Sequence, residues 1–280
     1  MSKSTTIFKL GKTTIGDGHF AVIAGPCSIE SEDQLLKTAQ FVKEHGACGL
    51  RGGVYKLRTK PGTFQGLGNE AYNYVKTAKK ETGLPFVAEI TDPRQINELY
   101  EVCDMFQVGA RNMHNYALLK ELGKIDKPVL LKRGFAGLIS EWLYAAEYIR
   151  IEGNNNVALC ERGIRTFESA YRNTFDINAI AYVKQNSDIP IIADTSHGTG
   201  HCDLVKPIAM AALAAGADGL IVEVHPNPEV AKSDKDQALT FDMFKSLMDG
   251  LNQVAGGMGK KITTLNNDNN SRSFQPEITL

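Results

Sequence analysis

The chain lacks long hydrophobic runs, paired cysteine spacings and any appreciable net charge. No segment approaches the 18 uninterrupted apolar residues of a membrane-spanning helix, and the amino-terminal stretch has no signal-peptide core. The five cysteines are scattered and odd in number, which is typical of free thiols in a reducing compartment. With 31 Lys and Arg against 32 Asp and Glu, the chain has no overall positive field for nucleic acid. We therefore expect a cytoplasmic protein with neither a nucleic-acid nor a membrane partner.

Short aliphatic runs alternate with amphipathic segments along most of the sequence. Eight such runs begin roughly every 30 residues, the spacing of one strand and one helix in a barrel of this length. They are residues 19–25, 49–55, 85–90, 105–110, 128–134, 157–163, 190–197 and 219–226. Several are apolar on both faces, as strands covered on both sides must be. The pattern predicts an α/β fold, a (β/α)₈ TIM barrel, with a doubly wound open sheet as the alternative.

The two ends of the chain differ from this repeat. Residues 5–18 predict a small amino-terminal hairpin that closes the bottom of the barrel. No change of composition interrupts the middle, so we expect one domain over residues 1–258 and no fused regulatory domain. Residues 259–280 are polar and poor in aliphatic side chains, and they predict an extended tail or an arm that reaches a partner subunit.

Ionisable side chains concentrate where the predicted strands end, whereas the strand bodies are apolar. In (β/α)₈ barrels, the carboxyl ends of the strands form the active site. The residues at these ends are, in chain order, Cys27, Arg51, Lys56, Glu89, Arg111, Lys132, Arg133, Glu161, Arg162, Asp194, His197, Glu223 and His225. The sequence therefore predicts an active site to which every strand contributes.

Cations form the larger group at these strand ends. They are Arg51, Lys56, Arg58, Arg111, Lys132, Arg133 and Arg162. Cations at this density repel one another unless a multiply charged anion lies between them, and Arg and Lys suit phosphate and carboxylate oxygens. The pattern predicts substrates that carry phosphates and a carboxylate. The alternative is a network of ion pairs with Glu89 and Glu161.

A second group could bind one divalent ion. Cys27, His197 and Glu223 follow strands that become neighbours once a barrel closes, and Asp234 is a further candidate. Mixed sulfur, nitrogen and oxygen ligation suits a catalytic Mn, Fe, Co or Zn ion better than a closed structural zinc site. The alternative is that Cys27 is a small buried hydrophobic residue and His197 an ordinary polar one. We leave His225 outside the ligand set.

Eight ordered motifs identify a family resemblance. They are AGPCSIES (24–31), LRGGVYKLRT (50–59), FQGLG (64–68), QVGARN (107–112), LLKRG (130–134), LCERGIRTFE (159–168), DTSHGTG (194–200) and IVEVHPNPEVAKSD (221–234). Together they resemble the 3-deoxy-D-arabino-heptulosonate 7-phosphate (DAHP) synthases, in the compact microbial subgroup related to 3-deoxy-octulosonate 8-phosphate synthases. The resemblance covers about residues 20–245 and implies the (β/α)₈ fold.

The resemblance implies an activity. The family condenses phosphoenolpyruvate with a phosphorylated aldose, usually erythrose 4-phosphate, and releases phosphate. The product, DAHP, is the first intermediate of the shikimate pathway to aromatic amino acids. Relatives are commonly homo-oligomers, so we expect a tetramer or a dimer.

The resemblance also implies residue roles. The metal ligands would be Cys27, His197, Glu223 and Asp234. Phosphoenolpyruvate would be bound by Arg51, Lys56, Arg111, Lys132 and Arg162. The aldose phosphate would be bound by Arg58, Thr59 and Arg133, with Lys60 in the same loop. Of the catalytic residues, Lys56 would donate a proton to the new alkoxide and Glu89 would position a water, while Cys27 and His197 would act as metal ligands.

The loop for the aldose departs from the family pattern. It reads KLRTKPGTFQG (56–66), whereas DAHP synthases usually read close to KPRTSPYSFQG. Leu57, Lys60 and Gly62 replace a proline, a serine and a tyrosine, and Thr195 replaces another proline elsewhere. These changes leave two interpretations open: a different aldose acceptor, as in a paralogue of a specialised pathway, or neutral drift in a loop that still binds erythrose 4-phosphate. The octulosonate branch is disfavoured by Arg58 and by the LKRG motif.

Two functions of other classes remain as alternatives. A non-catalytic barrel could sense phosphoenolpyruvate or an aromatic metabolite, but a sensor has no need of Cys27 or His197. An aldolase could form a Schiff base on Lys132, yet the surrounding cations and a thiolate ligand do not suit one.

Overall fold

A computed structural model of the chain describes residues 5–16, 18–58, 60 and 62–265. After an antiparallel hairpin, β1 (Phe8–Leu10) and β2 (Thr13–Ile15), parallel strands alternate with helices. The barrel strands are β3 (His19–Gly25), β4 (Gly49–Arg51), β5 (Phe86–Ile90), β6 (Met105–Val108), β7 (Val129–Lys132), β8 (Val157–Glu161), β9 (Ile191–Ala193) and β10 (Gly219–Glu223). The helices are α1 (Glu32–Glu44), α2 (Glu70–Thr82), α3 (Ile96–Tyr100), α4 (Tyr116–Gly123), α5 (Ile139–Arg150), α6 (Ile177–Asn186), α7 (Thr195–Thr199), α8 (Cys202–Ala214) and α9 (Phe241–Gly257).

The sheet closes on itself. Each strand from β3 to β10 pairs in parallel with the next, and β10 pairs in parallel with β3, with Gly219 opposite Ala21 and Glu223 opposite Gly25. This closure confirms the (β/α)₈ barrel and excludes the open sheet. Each of the eight predicted runs contains one of the barrel strands.

Two apolar layers stabilise the barrel. The outer layer lies between the strands and the helices; there the buried Trp142 of α5 donates its indole N–H to Leu131 O at 3.0 Å. The inner layer fills the barrel and includes the hairpin residues Phe8, Leu10 and Ile15. Full burial of each such side chain contributes about 1.5–3 kcal/mol. The hairpin therefore closes the amino-terminal end of the barrel, as predicted, and leaves the carboxyl-terminal end for the site.

Polar side chains cap the start of two helical segments. Ser31 caps α1, accepting a hydrogen bond from Gln34 N at 3.1 Å. Asp92 accepts from Arg94 N at 2.9 Å and caps the 3₁₀ turn Pro93–Gln95 that leads into α3. Such caps each contribute about 1 kcal/mol. Three more 3₁₀ turns, Ala110–Asn112, Pro228–Val230 and Lys235–Gln237, follow the barrel strands β6 and β10.

The segment predicted as a polar tail begins with regular structure. After α9 the chain forms β11 (Lys261–Thr263), which pairs in parallel with β3 so that Lys261 lies opposite His19. Residues 266–280 lie outside the described part of the chain, so the predicted boundary at residue 258 stays a prediction. Within the described residues, every helix is too short or too polar to span a bilayer.

Candidate active site and metal centre

A cavity of about 320 Å³ opens at the carboxyl ends of the barrel strands. Eight Lys and Arg side chains and two carboxylates line it. The cations are Arg51, Lys56, Arg58, Lys60, Arg111, Lys132, Arg162 and Arg172, and the acids are Glu89 and Asp234. His197, Gln107 and Phe135 also contribute to the wall. The cavity is therefore strongly electropositive in a chain whose formal charge is −1.

The alternation of side chains along each strand explains which residues reach this cavity. Successive side chains of a barrel strand point inward and outward in turn. Six polar residues each follow an apolar residue of the inner layer by two positions in the sequence. They are Glu89, Gln107, Lys132, Arg162, Asp194 and Glu223. Six of the eight barrel strands thus place a polar side chain above the apolar interior, as expected from the apolar strand bodies and polar strand ends.

Four side chains of metal-ligand type meet at one edge of the cavity. One donor atom from each of Cys27, His197, Glu223 and Asp234 lies within 4.8 Å of every other. Cys27 Sγ donates to Asp234 Oδ2 at 3.1 Å, and His197 Nε2 lies 3.3 Å from Glu223 Oε1. The structure therefore brings together all four residues predicted as ligands, although they span more than 200 residues of sequence.

The imidazole of His197 is oriented by Asp194. Asp194 caps α7 by accepting from His197 N at 3.1 Å, and its Oδ2 lies 2.8 Å from His197 Nδ1. Because the carboxylate accepts the proton of Nδ1, the lone pair of Nε2 faces the cluster. Burial lowers the pKa of His197, which favours the neutral imidazole that binds metals. Lys132 Nζ donates to the same carboxylate at 2.5 Å and completes its contacts.

Asp234 occupies an unusual backbone conformation. Its φ of 50° makes it the one residue other than glycine at positive φ among the described residues. Aspartate tolerates this left-handed region better than most residues, and such strain is concentrated at functional sites. Burial alone would raise the pKa of Asp234, but His197 and Lys56 outweigh it and hold the pKa well below the usual range. The carboxylate is therefore ionised where a cation would bind.

The thiol of Cys27 completes the donor set. Burial, reinforced by Glu223, raises its pKa to about 12, so the thiol carries a proton and donates it to Asp234. Lys56 Nζ donates to the same sulfur at 3.0 Å. One sulfur, one imidazole nitrogen and two carboxylates fit a catalytic divalent ion such as Mn, Fe, Co or Zn. Binding would displace the thiol proton.

The cations at this end are only partly compensated. Arg51 Nη1 donates to Glu223 Oε1 at 2.9 Å, and Lys132 pairs with Asp194. The sequence-based alternative expected Glu89 and Glu161 as the acidic partners, and neither of them takes part in these two pairs. Burial and the neighbouring Arg172 lower the pKa of Arg162 to about 10. This shift indicates a guanidinium whose charge lacks full compensation within the protein.

Phe135 gathers three guanidinium groups around one ring. The Cζ atoms of Arg162 and Arg165 each lie 4.8 Å from its centroid, and that of Arg111 lies 5.5 Å away. Cation–π contacts of this kind hold the guanidiniums in place without neutralising them.

The loop predicted to bind the aldose phosphate forms the outer wall. Arg58 Nε donates to Thr63 Oγ1 at 3.3 Å, and this hydroxyl donates to Lys60 O at 2.9 Å. Gly62 has φ +81°, a conformation that the family's usual tyrosine would adopt only with strain. Thr59 lies outside the described residues. Arg58 and Lys60 therefore reach the cavity, and Thr59 stays a prediction.

Arg133 does not reach the cavity, so its assignment to the aldose phosphate is corrected. It follows Lys132 on the strand and points outward, where Nη1 donates to Glu161 at 3.0 Å and to Asp176 at 2.9 Å. Its Nε donates to Gly137 O at 3.0 Å. The guanidinium is buried in a structural ion-pair network with Glu161 and Asp176, which is the alternative interpretation of the strand-end charges.

Glu89 faces the cavity because its neighbour has no side chain. A Cβ added at Gly109 would lie 2.0 Å from Glu89 Oε1. Gly109 has φ −66°, which any residue can adopt, so the close approach of the carboxylate is what requires glycine here.

Sequence reasoning missed four residues of this site: Gln107, Phe135, Arg172 and Gln237. Gln107 could have been identified from the alternation along β6, because it lies on the same inward face as Met105, two residues before it. The other three lie in loops, where no periodic signal exists. Arg172 Nη1 lies 3.5 Å from Asp234 Oδ1, and Gln237 Nε2 donates to Glu223 Oε2 at 2.7 Å.

Comparison with known proteins identifies the family of the chain. The sequence model of the DAHP synthetase I family matches residues 3–256. The chain is 48% identical over 257 residues to phospho-2-dehydro-3-deoxyheptonate aldolase of Thermotoga maritima, covering 92% of the chain and 76% of the relative. It is 28% identical over 252 residues to 2-dehydro-3-deoxyphosphooctonate aldolase of Acidithiobacillus ferrooxidans, covering 82% and 87%.

Solved structures give the same result. The crystal structure of the Thermotoga maritima DAHP synthase superimposes with a TM-score of 0.90 at 47% identity, covering 93% of the chain and 76% of that structure. A truncated form of the same enzyme gives a TM-score of 0.87 at 45% identity and is covered to 95%. Since the family match spans most of the chain and a relative is 48% identical across 92% of it, the chain belongs to the DAHP synthetase I family of enzymes.

Proposed function

We propose that this enzyme condenses phosphoenolpyruvate with a phosphorylated aldose, most favourably erythrose 4-phosphate, to give DAHP and inorganic phosphate. The reaction would be the first step of the shikimate pathway to aromatic amino acids. The observation that carries the proposal is the cluster of Cys27, His197, Glu223 and Asp234 at the edge of a cavity lined by eight cations.

The cavity suits two anionic substrates. Phosphoenolpyruvate would be bound by Arg51, Lys56, Arg111, Lys132 and Arg162. Buried Arg51 Nε has no hydrogen-bond partner among the described residues, and Arg162 has a lowered pKa, so an anion between them would satisfy both. The aldose phosphate would be bound by Arg58, Lys60 and Thr59 on the outer loop.

The same four donors would hold one divalent ion, Mn, Fe, Co or Zn. When bound, this ion would supply Lewis-acid polarisation of the aldehyde oxygen. Asp194 and Lys132 keep His197 Nε2 directed at the cluster, and Arg51 fixes Glu223 Oε1 beside it.

The remaining chemistry belongs to the side chains around the substrates. A bond forms between C3 of phosphoenolpyruvate and the aldehyde carbon, and Lys56 donates a proton to the resulting alkoxide oxygen. Although burial opposes its charge, the contact with Cys27 Sγ and the nearby carboxylates of Glu89 and Glu223 raise the pKa of Lys56 to about 12, so it holds that proton. Glu89 would position the water whose oxygen adds to C2, after which the C2–O bond to phosphate breaks. Much of the rate would come from holding two anions together against their repulsion.

The acceptor and the assembly are further parts of the proposal. Lys60 and Gly62 alter the loop where the aldose phosphate would lie. For this reason the second candidate function uses an acceptor other than erythrose 4-phosphate. The proposal also includes a homo-oligomer, a dimer or a tetramer, which light scattering of the purified protein measures.

A phosphate-release assay tests the function. It combines phosphoenolpyruvate and one of Mn²⁺, Fe²⁺, Co²⁺ or Zn²⁺ in turn with a panel of phosphorylated and unphosphorylated four- and five-carbon aldoses. We expect release that depends on the aldose and is greatest with erythrose 4-phosphate. Preference for a five-carbon acceptor would select the second candidate, and no release with any aldose and any of the four metals would contradict the condensation.

A further inference from the structure

The buried side chain of Gln237 lies behind the candidate metal site. Gln237 ends the 3₁₀ turn Lys235–Gln237 that directly follows Asp234, and only 2% of it is exposed. Its backbone N–H donates to Asp234 O at 3.3 Å, so one tight turn presents both residues to the barrel. A buried amide at such a place needs partners for its donor and its acceptor.

The partners of Gln237 dictate the orientation of its amide. Nε2 donates to Glu223 Oε2 at 2.7 Å, and Oε1 accepts from Arg172 Nη1 at 2.6 Å. A carboxylate can only accept and a guanidinium can only donate, so the two ends of the amide cannot be exchanged. The side chain thus joins two groups that meet the cluster from different loops.

The contact with Glu223 decides which carboxylate oxygen faces the site. Gln237 occupies Oε2, while Oε1 lies 3.3 Å from His197 Nε2 and accepts from Arg51 at 2.9 Å. With both oxygens engaged, the buried carboxylate cannot rotate. Without Gln237, one oxygen of a fully buried acid would lose its partner among the described residues.

The contact with Arg172 reaches the other carboxylate. The nitrogen that donates to Gln237 lies 3.5 Å from Asp234 Oδ1, while Asp234 Oδ2 accepts from the Cys27 thiol. Arg172 approaches closely because its neighbour lacks a side chain: a Cβ at Gly200 would lie 2.4 Å from Arg172 Cβ. One amide therefore stands between the two acids and supports both.

We propose that Gln237 is a positioning residue for the metal centre, orienting Glu223 directly and Asp234 through Arg172. This inference rests on the proposed metal site. It goes beyond the ligands and substrate contacts, because Gln237 is neither one of the four candidate ligands nor a residue that lines the cavity.

Two variants test the inference. Gln237→Met keeps the approximate volume and removes both hydrogen bonds. Gln237→Glu keeps the acceptor for Arg172 but places a carboxylate against Glu223. This variant still tests the inference if Gln237→Met does not fold. Metal-free protein is titrated with Co²⁺, following the near-ultraviolet absorption of the cobalt–thiolate bond, and its thermal unfolding is measured in parallel.

The matched control is Asn154→Leu. The Asn154 amide is equally buried and donates to Leu122 O at 3.1 Å and to Lys127 O at 2.8 Å, at the opposite end of the barrel. The substitution Asn154→Leu therefore removes buried hydrogen bonds of the same kind, at a place that does not contact the site.

We expect a Co²⁺ dissociation constant raised about 10- to 100-fold in both Gln237 variants, the usual cost of losing a residue behind a metal ligand. In Asn154→Leu, the constant should stay within about twofold, whatever the loss in melting temperature. A folded Gln237→Glu protein with wild-type Co²⁺ affinity would overturn the inference and leave the metal site intact. If the wild-type chain itself does not bind Co²⁺, the metal site is wrong and the inference fails with it.

Discussion

Replacement of Gly109 by alanine should displace Glu89 without disturbing the barrel. The new Cβ would lie 2.0 Å from Glu89 Oε1, 3.1 Å from its Cδ and 3.8 Å from its Cγ, and apart from the two chain neighbours no other described residue comes nearer. Ordinary contact between such atoms needs about 3.4 Å or more, so the carboxylate must move by about 1.4 Å. The backbone at φ −66° accepts alanine without strain.

This displacement sets the expected size of the effect. A shift of about 1 Å in a catalytic group can reduce the rate about 100-fold, which corresponds to about 2.7 kcal/mol of transition-state stabilisation. If Glu89 positions the water that adds to C2, kcat for phosphate release should fall by about that factor. The melting temperature should change little, because only the end of a flexible side chain has to move.

Two further variants test whether Gly109→Ala acts through the Glu89 carboxylate. Gly256→Ala is the matched control, since a Cβ there meets nothing within 4 Å, and it should leave kcat unchanged. In the double variant Gly109→Ala with Glu89→Gln, the second change should add almost nothing to the first, because both act through one carboxylate. A Gly109→Ala enzyme with wild-type kcat, or full additivity in the double variant, would refute the role given to Glu89.

Three further predictions concern the ligands, the acceptor loop and the corrected arginine. Cys27→Ala and His197→Ala should each abolish phosphate release while circular dichroism shows a folded barrel, and chelation of the wild type should do the same; undiminished turnover in metal-free protein would contradict the metal's role. Lys60→Ser should raise kcat/KM for erythrose 4-phosphate if the altered loop changed the acceptor, whereas an unchanged value would favour neutral drift. Arg133→Met should lower the free energy of unfolding by roughly 3–5 kcal/mol in urea titrations, because it leaves buried Glu161 with less compensation; a stable variant with only a raised KM for the aldose would restore the original assignment.

The barrel could be predicted because its signal is local and repeated. Each aliphatic run and each amphipathic segment carries its own periodicity, and eight repeats leave few architectures that bury all of them. The caps at Ser31 and Asp92 are equally local, since the capping side chain bonds to a backbone N–H two or three residues along the chain. For the same reason the amino-terminal hairpin could be predicted from residues 5–18.

The assignment of Arg133 shows that a position at a strand end is not enough to place a side chain in the cavity. The pleat of the strand also decides which face the side chain points to. Lys132 and Arg133 both stand at the end of β7, and a list of strand-end cations treats them alike. Successive side chains face opposite sides of a strand, so only one of the two can enter the barrel. Leu130 belongs to the inner layer, which places Lys132 inside and Arg133 among the helices.

By itself the sequence determined the barrel, the apolar strand bodies and the chemical types gathered at the strand ends, because these depend on periodicity and composition. The tertiary structure alone decided that four distant donors come within 4.8 Å of one another and that Asp234 takes a left-handed conformation to reach them. It alone placed Arg172 and Gln237 behind the acids. Such contacts join loops that are far apart in the chain, and their distances exist only once the sheet has closed.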